Sequence, residues 1–307
     1  AITGTDLFGG PGLANDYGLY VQNATVGGAL CTNMELCAGS LGVGSYEKGI
    51  CVDASGQLQI ADGGRLRLVG TGGGLPTNEQ GRGNVGISMS GLLIGSSLGN
   101  ATAVVTGTGG QGGAGEHHGV SLSGTLMSRG MDNAIYFQQC FGGSGGSYNC
   151  GMQIAAAVDV QGKLHFDQIQ GGGTTHSTKQ YGLHLQSGAS LSGTEIVMKR
   201  IYSGAGCGME ADTGNVGLVI DGHLGGPSSR LIQIEAMSLG TGSYEYGIYL
   251  NGTLQTTDGA SCFLRAVGGG LCTSQSAHNC GIFLDHATFN AGFGGVKVNA
   301  RTLSGKG

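Results

Sequence analysis

Residues 151–181 read GMQIAAAVDVQGKLHFDQIQGGGTTHSTKQY, and their apolar side chains fall into three short alternating runs. Met152 and Ile154 make the first, Val158 and Val160 the second, and Leu164, Phe166 and Ile169 the third, with small or turn-forming residues between them. Alternation at every second position places such side chains on one face of a strand. The stretch from Gly49 repeats the pattern with Ile50 and Val52, Leu58 and Ile60, then Leu66, Leu68 and Val69.

The opening glycine, followed by an aliphatic residue, recurs at Gly18, Gly49, Gly86, Gly119, Gly151, Gly182, Gly217, Gly247 and Gly281. The steps run from 30 residues, between Gly217 and Gly247, to 37, between Gly49 and Gly86. Self-similarity at such a period is the signature of a solenoid. Three short strands per repeat wind into a coil, and each strand pairs with its equivalent one coil on, about 4.8 Å away. The expected fold is therefore all-β: a single-stranded parallel β-helix of about nine coils, residues 1–307 forming one domain about 43 Å long. Right-handedness follows from the general rule for parallel crossovers, and glycine is expected to supply positive φ at the corners. After the first strand stand Asp53, Ser90, Ser123, Asp221, Asn251 and Asp285, polar residues suited to capping a bend. The third strand runs into a Gly-rich loop, as in GTGGQGGAGEHH before Gly119. These loops should form a ridge along one edge, where binding is expected.

Ala1–Tyr17 aligns with the end of a third strand and its loop, and Gly295–Val298 with the following RTLSGKG reads as a third strand. Neither end shows a capping helix, a charged strand or a Pro-rich stop, although an uncovered coil presents unpaired amides and apolar edges. Two alternatives stay open: a segment of a longer fibrous protein, or a subunit whose top coil pairs with the bottom coil of the next copy, giving a filament. Ala1–Gly10 has neither the basic start nor the apolar core of a signal peptide, and the absence of an initiating Met suggests a processed or excised chain.

Composition narrows the function. With 67 Gly, 3 Pro, no Trp and 11% charged residues, but 39% hydrophobic ones, the chain is neither collagen nor a disordered linker. A formal charge of −5 with no Lys/Arg stripe argues against a nucleic-acid partner. No apolar run approaches the roughly 20 residues needed to span a bilayer as a helix.

Nine cysteines point to an oxidising, extracellular or cell-surface setting. Cys140 and Cys150 flank one Gly-rich loop, Cys272 and Cys280 another, and each second member precedes a repeat-opening glycine. These are the expected disulfides, with Cys31 and Cys37 close enough in sequence to form a third; buried free thiols are the rival reading. Asn-x-Ser/Thr sequons at Asn23, Asn100 and Asn251 are the glycosylation candidates of an exported protein.

The runs GTGG and GTG, followed by a loop and then Gly with alternating apolar residues, resemble repeats of bacterial filamentous haemagglutinin-like adhesins and autotransporter passenger domains. The resemblance spans nearly the whole chain as a style of repeat, and implies an extracellular β-solenoid with a fibrous or adhesive role. Nine cysteines depart from those adhesins, which are usually Cys-poor. Phage tailspikes and pectate-lyase-like enzymes share the expected architecture.

Asp159, Asp167, Glu195 and Glu235 are the carboxylates available for acid/base work on a polysaccharide, but their spacing singles out no pair. Glu116, His117, His118, His176 and His278 fall in or beside ridge loops without a zinc-ligand spacing. Neither a strand-to-helix glycine motif for a nucleotide nor Asp-bearing nonapeptides for calcium occur, so no cofactor or metal is expected. Tyr17, Tyr20, Tyr181, Tyr246 and Tyr249 are candidates for an aromatic ladder, structural first and sugar-binding second. The expected function is a non-enzymatic extracellular subunit of a fibre, filament or surface appendage. Its partners would be copies of itself, head to tail or as a trimer, with glycans or a host surface bound through the loops. The alternative is a β-helical phage or virion spike that binds or cleaves glycans.

Overall fold

The computed structural model describes residues 1–94, 100–173, 178–205, 214–270, 278–292 and 294–302. They form three parallel sheets and contain no helix. An opening sheet of nine strands runs from Tyr17–Val21 to Cys280–Leu284, a second of nine from Thr25–Gly27 to Thr288–Asn290, and a long sheet of ten from Ile2–Gly9 to Gly295–Thr302. Each strand pairs with its equivalent one coil away, as Met152 does with Val120 and Leu183, and Leu164 with Ile135 and Ile196. The chain is thus a β-solenoid of about nine coils. The three strands of a coil are unequal: seven or eight residues in the long sheet against three to five in the other two.

One apolar core runs from Val21 to Ala266 along the axis. Its columns are residues of one type stacked in register, such as Ile87, Val120, Met152, Leu183 and Leu218, and Phe137 stacks on Phe166 at 5.1 Å.

The opening glycine answers to crowding rather than to φ. At Gly151 a methyl group would sit 2.6 Å from the backbone nitrogen and oxygen of Gln170, and at Gly217 it would sit 2.7 Å from the amide of Met237. The backbone of the long strand's end occupies the space of a side chain. Positive φ falls instead three residues earlier, at Asn15, Tyr46, Gly83, Glu116, Tyr148, Lys179, Tyr244 and His278, with values between 55° and 69°. All but Gly83 bear a side chain that this conformation disfavours. Glycine does supply positive φ at other bends, as at Gly63, Gly259 and Gly292 between the second strand and the long one, and at Gly188 between the opening strand and the second.

The disulfide expectation is corrected for Cys140 with Cys150 and for Cys31 with Cys37. All seven described cysteines, Cys31, Cys37, Cys51, Cys140, Cys150, Cys262 and Cys280, are free thiols. Cys140 points into the core from the long strand, whereas Cys150 stands in the outer column of the opening sheet, where its amide donates to His118 Nδ1 at 3.2 Å. Cys31 packs on the core, and Cys37 lies outside beside Arg67. A corner of the coil separates Cys140 from Cys150, and a strand face separates Cys31 from Cys37. Cys272, the expected partner of Cys280, lies outside the described residues, as does Cys207.

Candidate functional site

Two residues before each opening glycine stands a polar one: Asp16, Glu47, Asn84, His117, Asn149, Gln180, Asn215, Glu245 and Asn279, all but Asn215 directly after a left-handed residue. From Glu47 through Glu245 these side chains are fully buried. They form one continuous ladder parallel to the axis. The backbone amide of each donates to the side chain of the next: Asp16 to Glu47, Glu47 to Asn84, Asn84 to His117, His117 to Asn149, and so on to Glu245 and Asn279, at 2.8–3.3 Å. Donor atoms of the same side chains turn to the Gly-rich loops, as Asn84 Nδ2 does to the Gly44 carbonyl and Asn279 Nδ2 to that of Gly242. The ladder therefore ties several ridge loops to the coil body, as His117 Nε2 does at Gly112 and Gln180 Nε2 at Gly146. Two rungs share a longer motif: residues 40–49, SLGVGSYEKG, and 238–247, SLGTGSYEYG. In both the serine hydroxyl donates to the glutamate, Ser40 to Glu47 at 2.9 Å and Ser238 to Glu245 at 2.8 Å. Burial raises the Glu47 carboxyl above its ordinary pKa.

The outer face of the opening sheet carries two further columns. Tyr181, Val216, Tyr246 and Cys280 succeed one another in the first, and His184, Val219, Tyr249 and Phe283 in the second. Valine in one coil between aromatic residues in its neighbours leaves a trough of about 430 Å³ floored by Val216 and Val219. Tyr246, Tyr249 and Phe283 form one near-parallel set of rings, with centroids 4.9–6.0 Å apart and interplanar angles of 13–21°. Asp221 and Asp285, from the polar positions after the strand, make one rim; Gly214 and the left-handed residues Lys179 and Tyr244 make the other.

At the head of the trough, Gln153 and Gln186 amides each donate to the Tyr148 hydroxyl at 3.0 Å. That hydroxyl lies 2.8 Å from His184 Nδ1, and His184 Nε2 lies 2.8 Å from Asp221 Oδ2. Since an amide nitrogen only donates, Tyr148 gives its proton to Nδ1, which leaves the Nε2 proton for the carboxylate. Burial pushes the Tyr148, Tyr246 and Tyr249 phenols up to about 12 and the His118 imidazole down to about 3, so all four are neutral near pH 7. Neutral hydroxyls, flat rings and two carboxylates equip this face to hold a polar ligand.

The four carboxylates considered for catalysis are not brought together. Asp159 lies on the second sheet and accepts from Ser192. Asp167 pairs with Arg200, Glu195 with Lys163, and Glu235 stands in register with Arg265, all on the long sheet. Among the described residues no group of three or more His, Cys, Asp or Glu could hold a metal. His117 is a ladder rung, His118 faces Tyr148 edge-on, and His278 stacks on Tyr244 at 5.0 Å; His176 lies outside the described residues. The tyrosines do not make one ladder: Tyr17 and Tyr20 stack at one end of the rod, while Tyr181, Tyr246 and Tyr249 gather near the other. The three sequon residues Asn23, Asn100 and Asn251 are exposed. No helix of the described residues is long and apolar enough to cross a membrane.

No family model matches this chain, and no match is found among curated proteins or solved structures.

Proposed function

We propose that this chain is a structural β-solenoid of an extracellular or cell-surface fibre, filament or appendage, joined to copies of itself by coil stacking. The observation that carries the reading is the ladder. Its donor-to-acceptor step has the same sense from Asp16 to Asn279, and the coil of Asp16 forms one end face of the described rod. A coil laid on that face would bring a backbone amide to Asp16, as the coil of Asp16 brings one to Glu47. At the opposite face the strand Gly295–Thr302 is exposed throughout, with Val296 and Val298 at core positions uncovered by 43% and 55%. A second copy in register would cover them and add a strand to each sheet. Such a contact is heterologous and does not close, so it propagates.

Adhesion fits the same rod, because loops and outer columns repeat along its flank. A spike that binds glycans is a second reading, favoured by the aromatic trough.

Electron microscopy of the purified chain tests the proposal. Filaments whose length grows with protein concentration are expected, and Val298→Lys, which puts a charge on the end face, should shorten them. Short rods of uniform length at every concentration would refute it.

A further inference from the structure

The trough between Tyr181 and Phe283 has features that stacking does not require. Its floor is lowered by two valines, Val216 between Tyr181 and Tyr246 and Val219 between His184 and Tyr249, and its volume of about 430 Å³ lies within the range of small-molecule sites. One wall is the near-parallel stack of the Tyr246, Tyr249 and Phe283 rings, beside the gap left by Val216 and Val219. The rim beside it offers carboxylate oxygens. Asp221 accepts from His184 and, at 3.4 Å, from Asn251, and Asp285 accepts from Tyr249 with His286 Nδ1 2.7 Å away. Two oxygens with about four lone-pair sites leave each carboxylate further acceptor capacity. Lys179 is the sole Lys or Arg among the described lining residues.

We infer that this trough is a binding site for a neutral oligosaccharide, whose rings lie on Tyr246, Tyr249 and Phe283 and whose hydroxyls donate to Asp221 and Asp285. A sugar ring presents polarised C–H bonds on its faces and hydroxyls at its edges. The faces match the negative π clouds of the rings, and the edge hydroxyls match the acceptors on the rim. A wholly apolar ligand would cover both carboxylates without giving them donors, at a desolvation cost. A uronic acid, a sialylated chain or a phosphate backbone would place negative charge against them. The tautomer of His184, fixed by Tyr148, keeps Asp221 aligned on the rim. Binding on the flank is independent of the end faces, so it holds for a single rod as well as for a fibre.

Isothermal titration of the whole chain with short neutral oligosaccharides (glucans, mannans and galactans) and with uronic-acid oligomers tests the inference. At least one neutral series should bind and the uronic acids should not. Tyr249→Ala, which removes a platform ring, and Val219→Phe, which fills the floor, should each weaken binding about tenfold or more. Phe263→Ala, on the outer face of the long sheet, should leave it unchanged. Circular dichroism checks folding, and Asp285→Asn on the rim replaces Val219→Phe should that variant misfold. Absence of binding by every neutral series, tighter binding of uronic acids, or binding that survives both trough variants would overturn the assignment.

Discussion

At the scale of single residues, the fold depends on places where a side chain is impossible. Gly151 has no room for one because the Gln170 backbone stands 2.6 Å from where it would begin. Gly151→Ala should therefore lower stability by about 1–3 kcal/mol, as overpacking does. Gly10→Ala, where nothing lies within 4 Å, should have almost no effect in the same urea titration. His118 gives a pH signature. Burial holds it neutral in the fold down to about pH 3, against an ordinary value of 6.5, so below pH 6.5 the unfolded chain binds a proton that the folded chain does not. Stability attributable to His118 is full above pH 6.5 and is lost progressively as pH falls toward 3. His118→Gln should flatten the dependence of melting temperature on pH across that window; an unchanged slope would show that other groups set it.

At the scale of elements, the repeat was legible because inward positions of the strands must be apolar in every coil, and a column such as Ile87, Val120, Met152 and Leu183 leaves that trace at a constant phase. The ladder left a trace too: a polar residue two before each opening glycine. Only His117 among the rungs stands out in the sequence, as a ridge-loop residue, since Asp, Glu, Asn, Gln and His look unrelated until they are seen to occupy the same phase. Asn149→Ala should cost about 1–3 kcal/mol, because the His117 amide, 2.8 Å from the lost oxygen, would be buried without a partner. The denaturation midpoint should fall with an unchanged m-value. The trough was not legible, because it exists only where Val216 lies beside Tyr181 and Tyr246 across coils some 30 residues apart. The disulfides were misread for a similar reason: nearness of Cys140 to Cys150 in sequence said nothing about the corner between them.

At the scale of the whole molecule, each coil touches only its neighbours, so protection should be graded along the axis. Hydrogen exchange should be slowest in central strands such as Lys163–Gln170 and Glu195–Tyr202, which are paired on both edges. It should be fastest in Ile2–Gly9 and Gly295–Thr302, each paired on one edge. Uniform protection followed by a single global opening would contradict a nearest-neighbour rod.

The ladder rungs also make the molecule's length adjustable. Because Asn149 and Gln180 perform the same task at the same phase, deletion of residues 149–179 would hand the amide of His117 directly to Gln180, and the flanking strands would meet in their accustomed register. Such a chain is shortened by one storey with its joinery intact, as a plank wall is lowered by lifting out a single course. Duplication of the same segment would raise it by one.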